Sequence, residues 1–270
     1  MSASAAQRKS AAVPDLFDMN LRAKRRDRAV RNGPELFLLE RAFEDCIERV
    51  SLLQRRFGRA LLLGCPDPSW PERLAPFADE IDVRDPGPLF SLSAGAEVII
   101  EDRWHPSAND YGLVLALGTL DTVNELPLAL RLIRHAMQGD ALLLAAMSGG
   151  DTLPQLRSAM RAADRVAGVA QPHVHPRIEA SALAPLLLDA GFINPVVDVD
   201  RVSVAYPSFD RLVRDLRQMG STNMLNARSR FVGRVARQAA SDAFRAVGDG
   251  SKTHETFEIL HLAAWTAHQR

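Results

Sequence analysis

The stretch RALLLGCPDPSWPERL, residues 59–74, has the pattern of a buried strand, a tight turn and the start of a helix. Its apolar run is continuous rather than alternating, which is typical of a strand that is covered on both faces. In nucleotide-binding sheets the turn after such a strand is glycine-rich, and its backbone N–H groups hold the ligand. Here Gly64 is a glycine, but Pro66 and Pro68 have no backbone donor. The turn alone therefore leaves two interpretations open, a cofactor loop and a plain connection from strand to helix.

Further short apolar runs alternate with helical patterns along the chain. The strand candidates are EIDVRD (80–85), EVIIED (97–102), YGLVLAL (111–117), DALLLAAM (140–147), NPVVDVDRVSVAYP (194–207, one strand or two) and HETFEILHLAAWTAH (254–268). Helices are predicted over 35–58, with Gly58 as the stop, and over 125–137, 151–168, 179–192, 208–220 and 226–248. Strands that alternate with helices predict an α/β fold with a doubly wound, mostly parallel sheet.

The same pattern predicts one domain, because no internal repeat or low-complexity linker divides the chain. Residues 1–16 are interpreted as a frayed tail, with a short transit peptide as the alternative. Residues 17–58 form the N-terminal helices of the predicted domain, 59–150 its sheet core, and 151–270 a helical insertion with the C-terminal strands.

Composition narrows the function classes. The formal net charge is zero, which gives no support to a nucleic-acid partner, and no apolar run has the length of a membrane span. Cys46 and Cys65 form no disulfide framework and no metal-binding spacing. These features favour a protein of the bacterial cytoplasm.

In a doubly wound sheet the ligand binds at the carboxyl ends of the strands. Asp85 ends the second predicted strand, where an acid can accept the hydroxyls of a ribose, although an Asp before Pro and Gly is also ordinary turn chemistry. Asp102 and Trp104 follow the third strand, where they could contact and stack on an adenine. The alternative is a solvated loop with Trp104 covering a helix.

The fifth strand leads into the run AMSGGDTLPQLR, residues 146–157. Asp151 or Thr152 is expected to cap the next helix, and Asp151 is also a catalytic candidate because of its place at the ligand edge. His173 and His175 lie on one side of an extended chain, but no third ligand is near them, so no metal site is predicted. For the arginine-rich segment 22–31 the alternatives are a surface that faces a polyanion and a solvated helix face, and the second is favoured.

Several motifs together resemble a known family. In chain order they are FDMNLRAKRRDRAVR, VNELPLALRLIRHAM, AMSGGDTLPQLRSAM, PHVHPRIEASALAPLLLDAGF and DRVSVAYPSFDRLVRDLRQMGSTN. They are similar to the complex I assembly factor 5 group of class I S-adenosylmethionine-dependent methyltransferase-fold proteins, which is related to the biotin-pathway malonyl-carrier-protein methyltransferases. The resemblance extends from about residue 17 to the C-terminus. It implies a Rossmann-like sheet of seven strands with a reversed last strand, and S-adenosylmethionine as the cofactor.

The resemblance also assigns residues and partners. Gly64 and Cys65 match the start of the cofactor loop, Asp85 the ribose-binding acid, Asp102 the acid near the adenine, and Asp151 the aspartate of the GGDTL run. The mitochondrial member of the group hydroxylates an arginine in a subunit of respiratory complex I, so a protein substrate or partner is implied here.

The departures from the family pattern cluster in the part of the chain before the GGDTL run, where the resemblance implies cofactor binding. Leu62 replaces an acid, Pro66 and Pro68 replace glycines, Gly112 replaces an aspartate, and residues 121–122 replace His-Trp. Two functions therefore remain in view. One is an active enzyme that methylates or hydroxylates a protein substrate, and the other is a catalytically inactive binding module of the same fold. The first predicts an open cleft beside Asp85, and the second predicts that Trp70 or Pro68 fills it.

Overall fold

A seven-stranded sheet forms the centre of the molecule. The computed structural model describes residues 14–227 and 231–268, so the predicted tail lies almost wholly outside the described residues. The strands are β1 (Phe57–Leu63), β2 (Ala78–Asp85), β3 (Glu97–Val98), β4 (Tyr111–Leu117), β5 (Met137–Ser148), β6 (Phe192–Tyr206) and β7 (Thr253–Thr266). Their spatial order is β3-β2-β1-β4-β5-β7-β6. Strands β1 to β5 pair in parallel, and β7 runs antiparallel to both of its neighbours. The predicted sheet with a reversed last strand is confirmed.

Nine α-helices accompany the sheet in the described part of the chain. They are α1 (Met19–Arg31), α2 (Phe37–Leu52), α3 (Trp70–Leu74), α4 (Pro88–Ser93), α5 (Leu126–Ala136), α6 (Pro154–Ala167), α7 (Ala180–Asp189), α8 (Phe209–Gln218) and α9 (Arg234–Ala246). No helix among the described residues is long and apolar enough to cross a membrane.

Three of the predicted boundaries that were wrong bear on the site and its surroundings. Gly58 does not stop α2, since α2 ends at Leu52 and Gly58 is already the second residue of β1. The third strand covers Glu97–Val98 only, because the chain then turns and directs Glu101 inward to an arginine of α1. The last predicted helix begins at Arg234, and residues 228–230 of that prediction lie outside the described residues.

The sheet is covered on both faces, which explains the continuous apolar runs. All seven residues of β4 are buried, with Val114 in the core on one face and Leu115 in the core on the other. A third core cluster lies between α6, α8 and α9, where Leu212 and Ala240 are fully buried. Helix α1 contacts α4 and α8, and this places it at the carboxyl ends of the first strands.

Candidate functional site

Asp85 is the most heavily bonded carboxylate at the strand ends. It is fully buried, and Arg26 of α1 binds it through both carboxylate oxygens, with Nε donating at 2.8 Å. The backbone N–H groups of Cys65 and Gly87 donate to the same carboxylate at 2.9 and 2.6 Å. A carboxylate offers about four acceptor positions. Asp85 therefore has no acceptor position left for the hydroxyls of a ribose.

The backbone geometry around Asp85 also leaves little space. Gly87 lies so close to α1 that a Cβ atom added there would be 2.8 Å from the Cβ of Arg26. The inactive interpretation predicts that Trp70 or Pro68 fills the cleft beside Asp85, and neither residue does so. Trp70 instead stacks on Phe43 with ring centroids 4.4 Å apart, and Pro68 is exposed. The side chain that closes the predicted cleft is Arg26.

A second arginine of α1 neutralises Glu101, a residue that is not among the predicted site residues. Arg22 donates from Nη1 and Nη2 to the two carboxylate oxygens at 2.7 Å, and from Nη2 to the carbonyl oxygen of Thr119. Both members of the pair are buried. Burial alone would lower the pKa of Arg22, but the charge and hydrogen bonds of Glu101 outweigh it and the pKa is raised. Arg22 and Arg26 are one helical turn apart, so they form one paired face of α1.

Asp102 and Trp104 lie in other surroundings than a cofactor contact requires. Asp102 is buried, and its Oδ2 atom accepts from the backbone N–H groups of Asn124 and Glu125 at 3.1 and 2.9 Å. It therefore supports the chain that enters α5. Trp104 is 7% exposed within the core, and the guanidinium of Arg84 lies 5.2 Å from its ring. The structure thus brings Asp85 and Glu101 to α1. The side chains of Asp102 and Trp104 lie elsewhere in the protein interior.

Nearly all backbone N–H groups of the loop after β1 donate hydrogen bonds within the chain. Gly64 donates to the carbonyl oxygen of Arg84 at 2.8 Å, and Ser69 donates to Asp67 Oδ1 at 2.8 Å. Pro66 and Pro68 have no donor, and the amide of Cys65 is bound to Asp85. Burial, with Asp85 and Asp67 nearby, raises the pKa of the Cys65 thiol to about 12. The loop therefore offers neither a nest of free N–H groups nor a reactive thiolate.

Gly64 is retained for a reason that involves no cofactor. Its φ angle is +84°, and a Cβ atom there would lie 2.3 Å from the carbonyl oxygen of Leu117 on β4. Only glycine fits so close to the neighbouring strand. The presence of Gly64 thus gives no independent support to cofactor binding.

A cavity of about 90 Å³ lies beside Arg22 and Arg26 of α1, at the carboxyl ends of β4 and β5. We call it the acceptor cavity. Its apolar wall comes from α2, β5, β7 and the segment after α8, and includes Leu38, Leu39, Met147, Met219, Met224 and Phe257. Its polar wall includes Asp121, Ser148, His175, Arg177 and Glu258, together with Arg22 and Arg26.

The polar wall of the acceptor cavity holds a charged pair and a neutral histidine. Asp121, one of the departures from the family pattern, forms an ion pair with Arg177. His175 Nε2 accepts from the backbone N–H of Met224 at 2.9 Å. Burial, and then the charge of Arg177, lower the pKa of His175 to about 4. His175 is therefore a neutral acceptor at physiological pH, and the pair beside it keeps the wall electrically balanced.

Asp151 does not cap the helix, so that prediction was wrong, and Thr152 does not cap it either. Glu255 of β7 accepts from Gln155 and Leu156, the first free N–H groups of α6, at 3.2 and 2.7 Å. Asp151 is exposed and forms an ion pair with Arg201 at 3.0 Å. It lies outside the lining of the acceptor cavity.

Thr152 and the two histidines have separate structural partners. The hydroxyl of Thr152 donates to the carbonyl oxygen of Glu258 at 3.1 Å and accepts from its N–H at 3.0 Å, which ties the loop to β7. His173 pairs with Asp164, whereas His175 faces Met224. Among the described residues no group of three His, Cys, Asp or Glu side chains could hold a metal ion.

Comparison with known proteins identifies the family. No protein-family model matches the chain. The chain is 30% identical over 270 residues to the arginine-hydroxylase NDUFAF5, mitochondrial, of Danio rerio, covering 94% of this chain and 84% of that protein. This chain belongs to the arginine-hydroxylase NDUFAF5 family. It is also 30% identical over 177 residues to the malonyl-[acyl-carrier protein] O-methyltransferase of Xylella fastidiosa, covering 60% of this chain and 58% of that protein.

Solved structures agree with the fold. The YcgJ protein from Bacillus subtilis superposes with a TM-score of 0.58 at 9% identity, covering 85% of this chain and all of that one. At that identity the likeness concerns the fold alone. The chain is a methyltransferase-fold protein, as its strand order and reversed β7 require.

Membership of this family raises the question of whether the edge fits S-adenosylmethionine. A ribose needs free carboxylate acceptors, and the rest of the cofactor needs backbone donors from the first loop. Asp85 is saturated by Arg26, Cys65 and Gly87, Glu101 is paired with Arg22 through both of its oxygens, and the loop has two prolines where donors are needed. In this arrangement the residues present do not fit the cofactor.

Proposed function

We propose that this chain is a protein-binding member of the arginine-hydroxylase NDUFAF5 family that has given up its cofactor. Its partner is a subunit of respiratory complex I, which it engages in the bacterial cytoplasm through the acceptor cavity and the surface around it. The observation that carries this proposal is the saturation of Asp85 by Arg26, Cys65 and Gly87.

The cost of separating Arg26 from Asp85 would remove about half of the binding free energy of a cofactor. Separating a buried ion pair leaves uncompensated charge and costs about 3–5 kcal/mol. A cofactor bound at micromolar affinity gains about 8 kcal/mol. If it had to displace Arg26 from Asp85, the remaining 3–5 kcal/mol would correspond to a dissociation constant of about a millimolar. The lost donors at Pro66 and Pro68 weaken binding further.

Calorimetric titration with S-adenosylmethionine tests the cofactor part of the proposal. We expect no binding by the wild-type chain at micromolar ligand. The triple variant Arg26→Ala, Pro66→Gly, Pro68→Gly should gain measurable affinity, because it frees Asp85 and restores loop donors. Arg31→Ala, on the exposed face of α1, is the matched control and should behave as wild type. Micromolar binding by the wild-type chain would overturn the proposal.

A second candidate function is an active enzyme that modifies a protein side chain after α1 has moved away. The acceptor cavity favours it, because this cavity lies at the strand ends beside the predicted cofactor position. In that case S-adenosylmethionine would bind at micromolar concentration with α1 displaced, and limited proteolysis of α1 would increase in its presence. Unchanged proteolysis and no binding would exclude this candidate.

Partner capture tests the binding part. Ser148→Phe places a ring in the acceptor cavity, and we expect it to lose co-purification of complex I subunits. The control is Ser51→Phe on the exposed face of α2, which should retain them. Equal retention by both variants would show that the acceptor cavity is not the contact.

A further inference from the structure

A groove of about 640 Å³ lies between α8 and α9, and none of the residues that line it lines the acceptor cavity. We call it the α8–α9 groove. Its apolar floor comes from α6, α8, α9 and the segment before α9, and includes Met160, Phe209, Val213, Val232 and Ala240. These side chains belong to the core between α6, α8 and α9 or pack against it. The groove is therefore a part of this core that opens to solvent.

The spacing of the lining residues shows that the groove follows both helices. On α8 the side chains of Phe209, Val213 and Arg217 are four residues apart and share one face of the helix. On α9 the lining residues between Arg234 and Ala240 are three residues apart. At 1.5 Å per residue, the separation of Phe209 and Arg217 corresponds to about 12 Å, or roughly two helical turns. A groove of this length between two helices has the shape that accepts a third helix.

The rim of the α8–α9 groove is positively charged. Arg217 of α8 and Arg234 and Arg237 of α9 line it, and its described lining contains no Asp or Glu. In the part of the chain that the structure describes, no carboxylate oxygen lies within 4.0 Å of a guanidinium nitrogen of Arg217 or Arg234. Arg237 pairs with Asp210 at 2.8 Å, but both side chains are more than half exposed, and such pairs contribute little to stability. The rim thus matches a partner with several carboxylates.

An exposed aromatic side chain completes the lining. Phe231 lines the α8–α9 groove and is 94% exposed, and Val235 in the first turn of α9 is also exposed. Aromatic side chains contribute much of the binding free energy when a partner buries them. The groove therefore combines an apolar floor, an exposed aromatic ring and a cationic rim, and an amphipathic helix with acidic flanks complements all three.

We propose that the α8–α9 groove binds an acidic amphipathic helix of a partner protein. The apolar side chains of that helix lie on the floor of the groove. Its carboxylates contact Arg217 on one side of the groove, and Arg234 and Arg237 on the other. This inference does not depend on the proposed function, because the groove and the acceptor cavity share no lining residue.

A lipid surface fits the groove less well than a helix does. Met160, Phe209 and Ala240 are buried at the floor of a concave surface, where the flat surface of a bilayer does not reach them. A single anionic headgroup would also meet the arginines of one side only, because those of the rim belong to two helices. Carboxylates on both flanks of a helix meet both sides.

A synthetic helical peptide of about 18 residues is the probe, with leucines at positions i, i+3, i+4 and i+7 and glutamates on the flanks. Fluorescence anisotropy with the full chain measures its affinity. We expect a dissociation constant on the order of tens of micromolar, and binding at least about tenfold weaker for a peptide with lysine at every glutamate position. Equal binding of the two peptides, or no binding of the glutamate peptide, would overturn the proposal.

Two variants locate the contact. Arg217→Gln, Arg234→Gln removes a cation from each side of the rim and should weaken binding of the glutamate peptide about five- to tenfold. Phe231→Ala removes the exposed ring and should weaken it by about the same factor. All three side chains are exposed, so the melting temperatures of both variants should match that of the wild-type chain, which shows that they are folded.

The matched control is Arg214→Gln, Arg245→Gln. It removes one exposed arginine from each of the same two helices, outside the lining of the groove, and affinity should stay within about twofold of wild type. An equal loss in the control and in Arg217→Gln, Arg234→Gln would mean general charge attraction and would overturn the site. Sedimentation with phosphatidylglycerol vesicles that only Arg217→Gln, Arg234→Gln abolishes, without binding of the glutamate peptide, would show a lipid surface as the partner instead.

Discussion

The two sides of the carboxyl edge of the sheet use ion pairs in opposite ways. Towards the first strands, Arg22 and Arg26 bind Glu101 and Asp85 in a fully buried interface. Towards the later strands, Asp121 and Arg177 pair beside a cavity that remains open. We call these sides the cofactor edge and the acceptor half. The comparison shows that similar charged side chains at one sheet edge can close one site and frame another.

The largest effect should come from breaking the closed side. Asp85→Asn leaves the buried guanidinium of Arg26 without its counter-ion, and we expect the free energy of unfolding to fall by about 3–5 kcal/mol. Urea denaturation measures this loss. Asp79→Asn is the control, because Asp79 pairs with Arg56 in solvent, and such pairs contribute about 0–1 kcal/mol. Equal small losses for both variants would mean that Asp85 is not tied to α1, and the comparison would fail.

The strand ends were predictable from the sequence, but the closure was not. Continuous apolar runs and their terminal acids predict where parallel strands finish, and Asp85 lies there. The partners of Asp85 and Glu101 are 59 and 79 positions away along the chain. Periodicity along α1 shows that Arg22 and Arg26 share a face, but not whether that face meets solvent or carboxylates. The segment 22–31 was therefore wrongly interpreted as solvated throughout.

The sequence also does not decide which of the two neighbouring acids Glu101 and Asp102 points towards α1. Glu101 and Asp102 follow the third strand in succession, and the resemblance to the family assigns the adenine contact to Asp102. Once a strand ends, alternation no longer tells which side chain points inward. The structure decides through α1, because Arg22 binds Glu101 while Asp102 turns to the chain before α5. In the acceptor half the pair Asp121–Arg177 was not predicted, because its members are 56 positions apart along the chain.

The next largest effect concerns pH and tests the acceptor half. The pKa of His175 falls from 6.5 in the unfolded chain to about 4 in the fold. Below pH 6.5 the unfolded chain therefore binds a proton that the folded chain refuses. Stability is fully present above pH 6.5 and falls as the pH approaches 4, by about 3 kcal/mol in total.

The measurement is the free energy of unfolding at pH 7.5 and pH 4.5. Carboxylates titrate over the same range, so His175→Gln is compared with His135→Gln, which changes an exposed histidine. The pH-dependent loss should shrink for His175→Gln and persist for His135→Gln. Parallel losses in both variants would mean that His175 is accessible to protons and that this wall of the acceptor cavity opens to solvent.

A smaller effect is expected where the retained GGDTL run joins β7. Thr152→Val keeps the volume but removes a hydroxyl that bonds both the N–H and the C=O of Glu258. We expect a loss of about 1–3 kcal/mol, because these buried backbone groups lose a partner. Thermal unfolding gives the change. The control is Thr256→Val on β7, since the structure describes no hydrogen bond from that hydroxyl. A loss as large in the control would show that the run is not held through Thr152.

The smallest effect is expected at Asp151, and it separates this predicted catalytic residue from Asp85, the predicted ribose-binding acid. Asp151 and Arg201 are both more than half exposed, so Asp151→Asn should change the free energy of unfolding by less than about 0.5 kcal/mol. Arg201→Gln should cost more, because Arg201 also pairs with the buried carboxylate of Glu258 at 2.9 Å. The small effect of Asp151→Asn should vanish in high salt, which screens exposed pairs. Urea denaturation of both variants at low and high salt tests this order. A loss for Asp151→Asn that matches Asp85→Asn would make Asp151 a structural residue. A negligible loss would show that Asp151 contributes little to the stability of the fold.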